Sequence, residues 1–240
     1  MNPRSYVVES IIIGLGLIAS AAVAAYAFYA VHTLGNTLSV TGSATQSVQA
    51  DSAKWTVSVT RSAYADSIAS TQTKVAADSQ QVQDFFTSNG VDKDNITTSP
   101  IFVDQDYSKN QNNGPTAYNV RQDITVQSKD PQLVQKLSKD ISQLAGKGIL
   151  VSSQMPQYYV STLPDIRIAL IGKAVTDAKA RATEIAKSTG QKVGALQSAS
   201  GGVVQVLSPN SGDVSDYGSY DTSTIDKQVM VTARATFYIR

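Results

Sequence analysis

The chain has 240 residues, and its 20 basic and 19 acidic side chains give a formal net charge of +1. Because the two signs are interspersed, the sequence lacks the basic stretch that is typical of nucleic-acid binding. The absence of cysteine excludes disulfides, thiolate catalysis and cysteine zinc sites. The one histidine, His32, has no second histidine with which to form a charge relay or a metal site. We therefore expect no nucleic-acid partner, no cofactor and no enzymatic activity.

A long apolar segment begins ten residues into the chain. Residues 11–31, IIIGLGLIASAAVAAYAFYAV, carry no charge and would extend about 30 Å as a helix, which is the thickness of a bilayer's hydrocarbon core. We predict a transmembrane anchor over residues 11–34. The alternative is a signal peptide cleaved at Ala25-Tyr26-Ala27, although the apolar run continues past that site. A soluble core helix would need protein on every side, because the segment has no polar face.

The charges on either side of this segment predict its orientation. Arg4 and the terminal amine precede it, and no lysine or arginine follows until Lys54. By the positive-inside rule, residues 1–10 form a short cytoplasmic tail and the main domain is periplasmic or extracellular.

Three small residues inside the apolar segment share one helical face. Gly16, Ser20 and Ala24 are spaced four residues apart, a pattern that lets two membrane helices approach closely. In an alanine-rich helix the same pattern also arises by chance. We predict a helix–helix contact in the membrane at these residues.

The first half of the remaining chain alternates strands with helices. Trp55, Val57 and Val59 alternate with polar residues, which predicts a half-buried strand preceded by another. Helical spacing follows from about residue 66 to 89, with Thr71 and Asp78 on the polar face. Continuing in chain order, we predict a strand in NITTSPIFVDQDY, a returning strand in AYNVRQDITVQS, and a short helix opened by Asp130 and Pro131 and closed by Gly146.

The second half repeats this alternation. The segment GILVSSQMPQYYVS is predicted to form one strand. A helix over about residues 164–189 is predicted to bury one apolar stripe, followed by a strand over residues 192–207 and a final strand in KQVMVTARATFYIR. The residues of the buried stripe are Ile168, Ile171, Val175, Ala178, Ala182 and Ile185. The fold class is α+β with a mixed sheet and three helices after the anchor, in a loose repeat compatible with two subdomains.

Two polar loops interrupt the strands, near residues 104–117 and 208–226. The second has no basic residue until Lys227, and it combines tyrosines with serine, glycine and aspartate, as adaptable recognition loops do. A loop of this length in a compact domain is usually disordered or functional. We therefore predict either disorder or an interaction loop that recognises a partner. The candidate contact residues are Asp213, Asp216, Tyr217, Tyr220 and Asp221.

Acidic residues elsewhere do not form a convincing site. The stretch from Asp104 to Ser108 resembles the start of a calcium loop, but Lys109 replaces the required glycine and Pro115 the bidentate glutamate. Asp177 and Glu184 lie among lysines and arginines, which indicates a solvated helix face with ion pairs. We predict no metal ligands and no catalytic residues.

Five segments in a fixed order carry a family resemblance. They include LSVTGSATQSVQADSAKWTVSV with its Thr41-Gly42 turn, FFTSNGVDKDNITTSPIFV, YNVRQDITVQSKDPQLVQKL and ALIGKAVTDAKARATEIAKSTGQKVGALQS. Together they resemble the SIMPL-domain family of bacterial envelope proteins over about residues 38–240. Where that family has a proline-aspartate before the Trp55 strand, this chain has ADSA.

This resemblance implies an exported α+β domain of the periplasm or cell surface. Some members of the family are linked to envelope stress or known as immunogens, and at least one assembles into a large ring-like or channel-like homo-oligomer. The resemblance implies no established catalytic site. We therefore expect a membrane-anchored, self-associating envelope protein. The alternative is a monomeric or small-oligomer exported module that binds an envelope ligand or protein.

Overall fold

A computed structural model describes residues 3–33, 36–107, 115–212 and 215–240 of the chain. The fold is α+β, as the sequence predicts. The α-helices of the described residues are α1 (Pro3–Thr33), α2 (Ile68–Ser88), α3 (Pro131–Asp140) and α4 (Leu163–Ser188). The strands are β1 (Thr37–Gln49), β2 (Ser52–Tyr64), β3 (Ile96–Thr98), β4 (Phe102–Gln105), β5 (Ala117–Ser128), β6 (Val151–Ser153), β7 (Gln157–Tyr159), β8 (Val193–Leu207), β9 (Ser219–Tyr220) and β10 (Asp226–Ile239).

The strands form two sheets, and the chain divides into two compact units. One sheet has the order β1-β10-β8-β9; the other has the order β3-β5-β2-β6, with β4 also paired to β5 and β7 to β2. Unit 1 comprises Met1–Ala44, Ile168–Val203 and Val231–Arg240, and unit 2 comprises Thr45–Arg167 and Val204–Met230.

Unit 2 contains the larger core, which is built around the single tryptophan. Trp55 is 1% exposed, its ring meets Phe86 of α2 edge-on at 5.5 Å, and its indole N–H donates to the Gln154 carbonyl at 2.9 Å. Val57 and Val59 are fully buried beside it, so the predicted alternation of β2 is confirmed. Burial of such side chains contributes about 1.5–3 kcal/mol each.

The polar face predicted for α2 is wrong at two positions. Thr71 and Asp78 are buried, in phase with Val75 and Val82. Asp78 can be buried because the Arg61 guanidinium of β2 donates to its carboxylate, and this hydrogen bond raises the pKa of Arg61.

Several predicted boundaries also change. The strand predicted in NITTSPIFVDQDY is interrupted at residues 99–101, and both parts pair with β5. GILVSSQMPQYYVS likewise contains two short strands, β6 and β7, instead of one. After α3 the chain continues as a 3-10 helix. This helix is closed by Gly148, whose φ is 79°, and not by Gly146 as predicted. The opening by Asp130 and Pro131 is confirmed.

Unit 1 contains a small core between α4 and the ends of the long strands. The buried face of α4 is Leu170, Ala174, Ala178, Ala182 and Ala186. Of the six residues of the predicted stripe, only Ala178 and Ala182 belong to it, while Ile168 is 71% exposed and Ile185 is 45% exposed.

Gly42 explains why alanines face inward on α4. This glycine lies within β1, so the turn expected at Thr41-Gly42 is wrong. A Cβ at position 42 would lie 2.8 Å from the Ala178 Cα and would also collide with the Ala174 carbonyl oxygen and the Ala178 amide nitrogen. Because strand and helix backbones approach so closely, only small side chains fit between them.

Candidate interaction surfaces

Helix α1 presents an apolar surface with no covering in the single chain. Residues Ser10–Tyr29 have a mean hydropathy of 2.2, and none of this span is buried. Among the described residues it is the one helix long and apolar enough to cross a membrane, as a retained anchor or a signal peptide would be.

The predicted helix–helix contact lies on this surface. Gly16, Ser20 and Ala24 are exposed along one face of α1. The Ser20 hydroxyl donates to the Leu17 carbonyl at 2.9 Å, so its hydrogen-bonding need is met within the helix. A side chain at Gly16 would meet nothing within 4 Å, which leaves room for a second backbone. The side chain of His32 lies outside the described residues.

The loop over residues 208–226 is organised by a buried lysine that the sequence reasoning did not single out. Lys227 is 1% exposed, and its ammonium donates to the Asp221 carbonyl at 2.6 Å and lies 3.6 Å from the Asp221 carboxylate. The alternation of β10 could have identified it, because Lys227 is in phase with the buried Val229 and Val231. Burial lowers the pKa of Lys227, and Asp221 opposes that shift.

Asp221 is the partner that allows this lysine to be buried. Burial alone would raise the pKa of its carboxyl group. The Ser223 hydroxyl and backbone N–H, the Thr224 hydroxyl and Lys227 together outweigh burial, and they lower the pKa to about 2. The carboxylate is therefore ionised at neutral pH and held by this part of the loop.

Tyr220 and Gln205 attach the same loop to the rest of unit 2. The Tyr220 hydroxyl accepts a hydrogen bond from the Val160 N–H at 2.8 Å, and its ring lies 6.0 Å from that of Tyr159. Gln205 is 2% exposed; its amide donates to the Ser215 carbonyl, and its oxygen accepts from the Ser219 hydroxyl at 2.9 Å.

The five candidate contact residues of the loop therefore lie in different surroundings. Tyr220 and Asp221 are engaged within the chain, whereas Asp216 is exposed and Tyr217 is 97% exposed. Asp213 lies outside the described residues. Asp216 and Tyr217 are the described members whose side chains face solvent, and partner recognition by them stays a prediction.

The loop near residues 104–117 begins later than predicted. Asp104 and Gln105 belong to β4 and pair with Asn119 and Tyr118 of β5. The Asp106 amide then donates to the Ala117 carbonyl at 2.8 Å. The remaining centre of this loop, residues 108–114, lies outside the described residues.

A groove lies at one end of the six-stranded sheet of unit 2. Its volume is about 830 Å³. It is bordered by Lys54, Lys129, Asp92 and Asp130. Asp130 is already engaged, because its carboxylate caps α3 by accepting from the N–H groups of Gln132 and Leu133 at 3.0 and 3.1 Å. The groove is therefore lined by charges of both signs.

The Asp177 carboxylate of α4 links the helix to β1 and to its own next turn. Asp177 accepts from the Ser43 N–H of β1 and from the Arg181 guanidinium, each at 2.8 Å. These contacts, the Ser43 N–H first, lower the pKa of Asp177. Within the described ranges, no three His, Cys, Asp or Glu side chains lie close enough to hold a metal ion.

These features define a class of protein: an α+β protein of two compact units that begins with an apolar helix long enough to span a membrane. The family model of SIMPL, described as a protein of unknown function (DUF541), matches residues 38–237. Because this match covers most of the chain, the protein belongs to the SIMPL family. A comparison with curated proteins finds no match.

Proposed function

We propose that the protein is a membrane-anchored envelope protein that self-associates into a large, ring-like or channel-like homo-oligomer with a structural or interaction role. In this proposal α1 is retained, its N-terminus is cytoplasmic, and the SIMPL domain is periplasmic or extracellular. The protein has no catalytic activity of its own in this proposal, and a link to envelope stress is the expectation that follows from the family resemblance.

The observation that supports a retained membrane anchor is the uncovered apolar surface of α1. Apolar surface in water costs about 25 cal/mol per Å² relative to an apolar environment. Isoleucine, leucine, valine and aromatic side chains of the span are 56–75% exposed. A lipid bilayer covers such a helix on every side, and the helix satisfies its own backbone hydrogen bonds there.

Self-association is supported by the small-residue face of α1 and by the family resemblance. Anchors that share a membrane can approach closely at Gly16, Ser20 and Ala24. Such contacts are individually weak, so a stable assembly also needs contacts outside the membrane.

The test is the mass of the purified full-length protein in mild detergent. Intact mass spectrometry measures each chain, and light scattering measures the particle. We expect chains of full mass in particles many times larger than one chain. A matched variant, Ala27→Leu, blocks cleavage at the Ala25-Tyr26-Ala27 site. If wild-type chains lack about 27 residues and Ala27→Leu chains do not, the segment is a signal peptide and the anchor is rejected.

A second function, an exported binding module, is favoured by the groove of unit 2 and by the exposed Tyr217. A monomeric particle in the same measurement would support it. Deleting the whole loop is a poor test, because the deletion would also remove Asp221 from the buried Lys227. Tyr217→Ala is a sharper test of binding, because it removes an exposed ring and leaves the contacts between Asp221 and Lys227 in place.

A further inference from the structure

Nearly half of strand β8, in the part that belongs to unit 1, is exposed. Residues 195–201 are seven consecutive exposed residues in the middle of the strand. A strand that packs one face on a core alternates between buried and exposed side chains, and this segment does not. Among the described residues, β10 pairs with one edge of β8, and β9 pairs with the other only at Gln205 and Val206.

The position of α4 explains this exposure. Ala178 and Ala182 of α4 pack on Ala235 and Phe237 of β10. At Gly42 the helix also contacts β1. The helix therefore covers β1 and β10 and approaches residues 195–201 only at their end, where a Cβ on Gly201 would lie 3.8 Å from the Ile171 Cδ1.

Strand β1 forms the opposite edge of the same sheet, where β10 is its one neighbour in the described chain. Neither β1 (TLSVTGSATQSVQ) nor β8 (VGALQSASGGVVQVL) contains a charge or a proline. Natural edge strands are usually short or carry charges and prolines that prevent pairing with another chain. The edge strands β3 and β6 of the other sheet follow this rule, with three residues each.

The two open edges run in the same direction. Ile239 donates to the Asn36 carbonyl and Thr236 contacts Ser39, so β1 is antiparallel to β10. Lys192 and Arg240 exchange both backbone hydrogen bonds, and Gly194 lies against Tyr238, so β8 is also antiparallel to β10. Strands β1 and β8 are therefore parallel to each other.

We propose that the outer edge of β8, at residues 195–201, pairs in parallel with the outer edge of β1 from a second copy of this chain. This inference rests on the proposed self-association and specifies its contact. The pairing is head-to-tail, so each copy uses one β1 and one β8 edge, and repetition closes a ring or extends a filament. Two-fold pairing of β8 with β8 would instead leave every β1 edge open.

Cysteine crosslinking tests this arrangement in the full-length protein, which has no cysteine of its own. Thr41→Cys is combined with one cysteine at each position from 195 to 201, because a disulfide forms only where the two Cα atoms come within about 7 Å. Within one chain the two cysteines are separated by β10 and lie at least about 9.5 Å apart, which is two strand spacings. Any disulfide between them therefore joins different copies.

We expect at least one double variant to give a ladder of multimers on a non-reducing gel, while each single variant stays uncrosslinked. A dimer from Ser198→Cys alone would overturn the head-to-tail arrangement, because Ser198 lies at the centre of the segment that two-fold pairing would bring together. No ladder from any double variant would overturn the proposal as well.

A backbone variant tests the hydrogen bonds directly. Consecutive residues of a strand direct their N–H groups toward opposite edges, and in the register of the Lys192–Arg240 pair the N–H of Gln197 points outward. Gln197→Pro removes that donor without removing a bond to β10, whereas Gln197→Thr keeps the donor as the matched control. Gln197→Lys places a charge on the edge of β8. It replaces the proline variant in this test if that variant fails to fold.

We expect the particle mass to fall to that of one chain for Gln197→Pro and Gln197→Lys and to stay unchanged for Gln197→Thr. Large particles from all three variants would overturn the edge pairing and leave the proposed self-association standing. A monomeric wild-type protein would overturn both.

Discussion

At the scale of single residues, Lys227 shows how a buried charge can organise a long surface loop. Its ammonium is withdrawn from water, donates to the Asp221 carbonyl, and lies 3.6 Å from the Asp221 carboxylate and 5.9 Å from the centre of the Tyr220 ring. Removing one partner from such a pair leaves an uncompensated charge in a poorly solvated place. The stability of this region therefore depends on the ionisation of Asp221.

We predict that Asp221→Asn lowers the free energy of unfolding by about 2–3 kcal/mol at neutral pH, because the pKa of the carboxyl group falls from about 3.9 to about 2 on folding. Its depressed pKa in the folded state, about 2, lies below the unfolded value of about 3.9, so the carboxylate contributes stability above pH 4. This contribution is lost as the pH falls from about 4 to about 2. Urea unfolding at several pH values measures it.

The matched control is Asp216→Ala, which changes an exposed carboxylate of the same loop. We expect its effect to stay within about 0.5 kcal/mol at every pH. An equal loss of stability in the two variants would show that the loop tolerates no substitution and that the buried pair has no special role.

At the scale of elements, the contact between β1 and α4 decides which face of α4 is buried. The backbones meet at Gly42, so alanines occupy the interface and the larger isoleucines Ile168 and Ile185 are exposed. Asp177 adds a polar link by accepting from the Ser43 N–H. Strand and helix are thus held together by this close approach and one hydrogen bond, and Leu38 and Val40 of β1 pack on the same alanine cluster.

We predict that Gly42→Ala lowers the free energy of unfolding by about 3 kcal/mol or more, because its methyl group overlaps the α4 backbone. Gly172→Ala, on the exposed face of α4 with nothing within 4 Å, is the control and should raise stability by about 0.5–1 kcal/mol. Thermal unfolding followed by circular dichroism measures both. Unchanged stability of Gly42→Ala would contradict the close approach.

At the scale of the whole molecule, the proposed assembly combines contacts in the membrane with contacts between sheet edges. Each anchor contact is weak, but anchors confined to one bilayer meet in a single orientation. Head-to-tail edges on the SIMPL domain would then add their contacts to the same assembly.

We predict that Gly16→Leu weakens association by about 1 kcal/mol, which raises the protein concentration at half-dissociation roughly fivefold. Its leucine fills the gap through which a second helix approaches. Gly14→Leu is the control, because residue 14 lies about 200° around the helix from residue 16. Light scattering across a dilution series in detergent measures the change. Equal shifts in the two variants would contradict a specific helix face.

Much of the fold could be predicted because the signals are local. Alternation identified β2 and β10, and Asp130 with Pro131 located the start of α3. The buried face of α4 could not be predicted, because it depends on a close approach at Gly42, about 130 residues away in the chain. The candidate contact loop was only partly predictable. It is organised by the buried Lys227, and a charged side chain is expected to be exposed unless the tertiary structure supplies a partner.

The sequence by itself determined the apolar helix, the α+β class and the SIMPL family, because length, periodicity and motif order are properties of consecutive residues. Only the tertiary structure decided that Asp221 and Tyr220 bind within the chain while Tyr217 faces solvent. Only the structure also showed that residues 195–201 of β8 are left open. These outcomes depend on which distant backbones meet, and hydrogen bonds and packing across the fold select them.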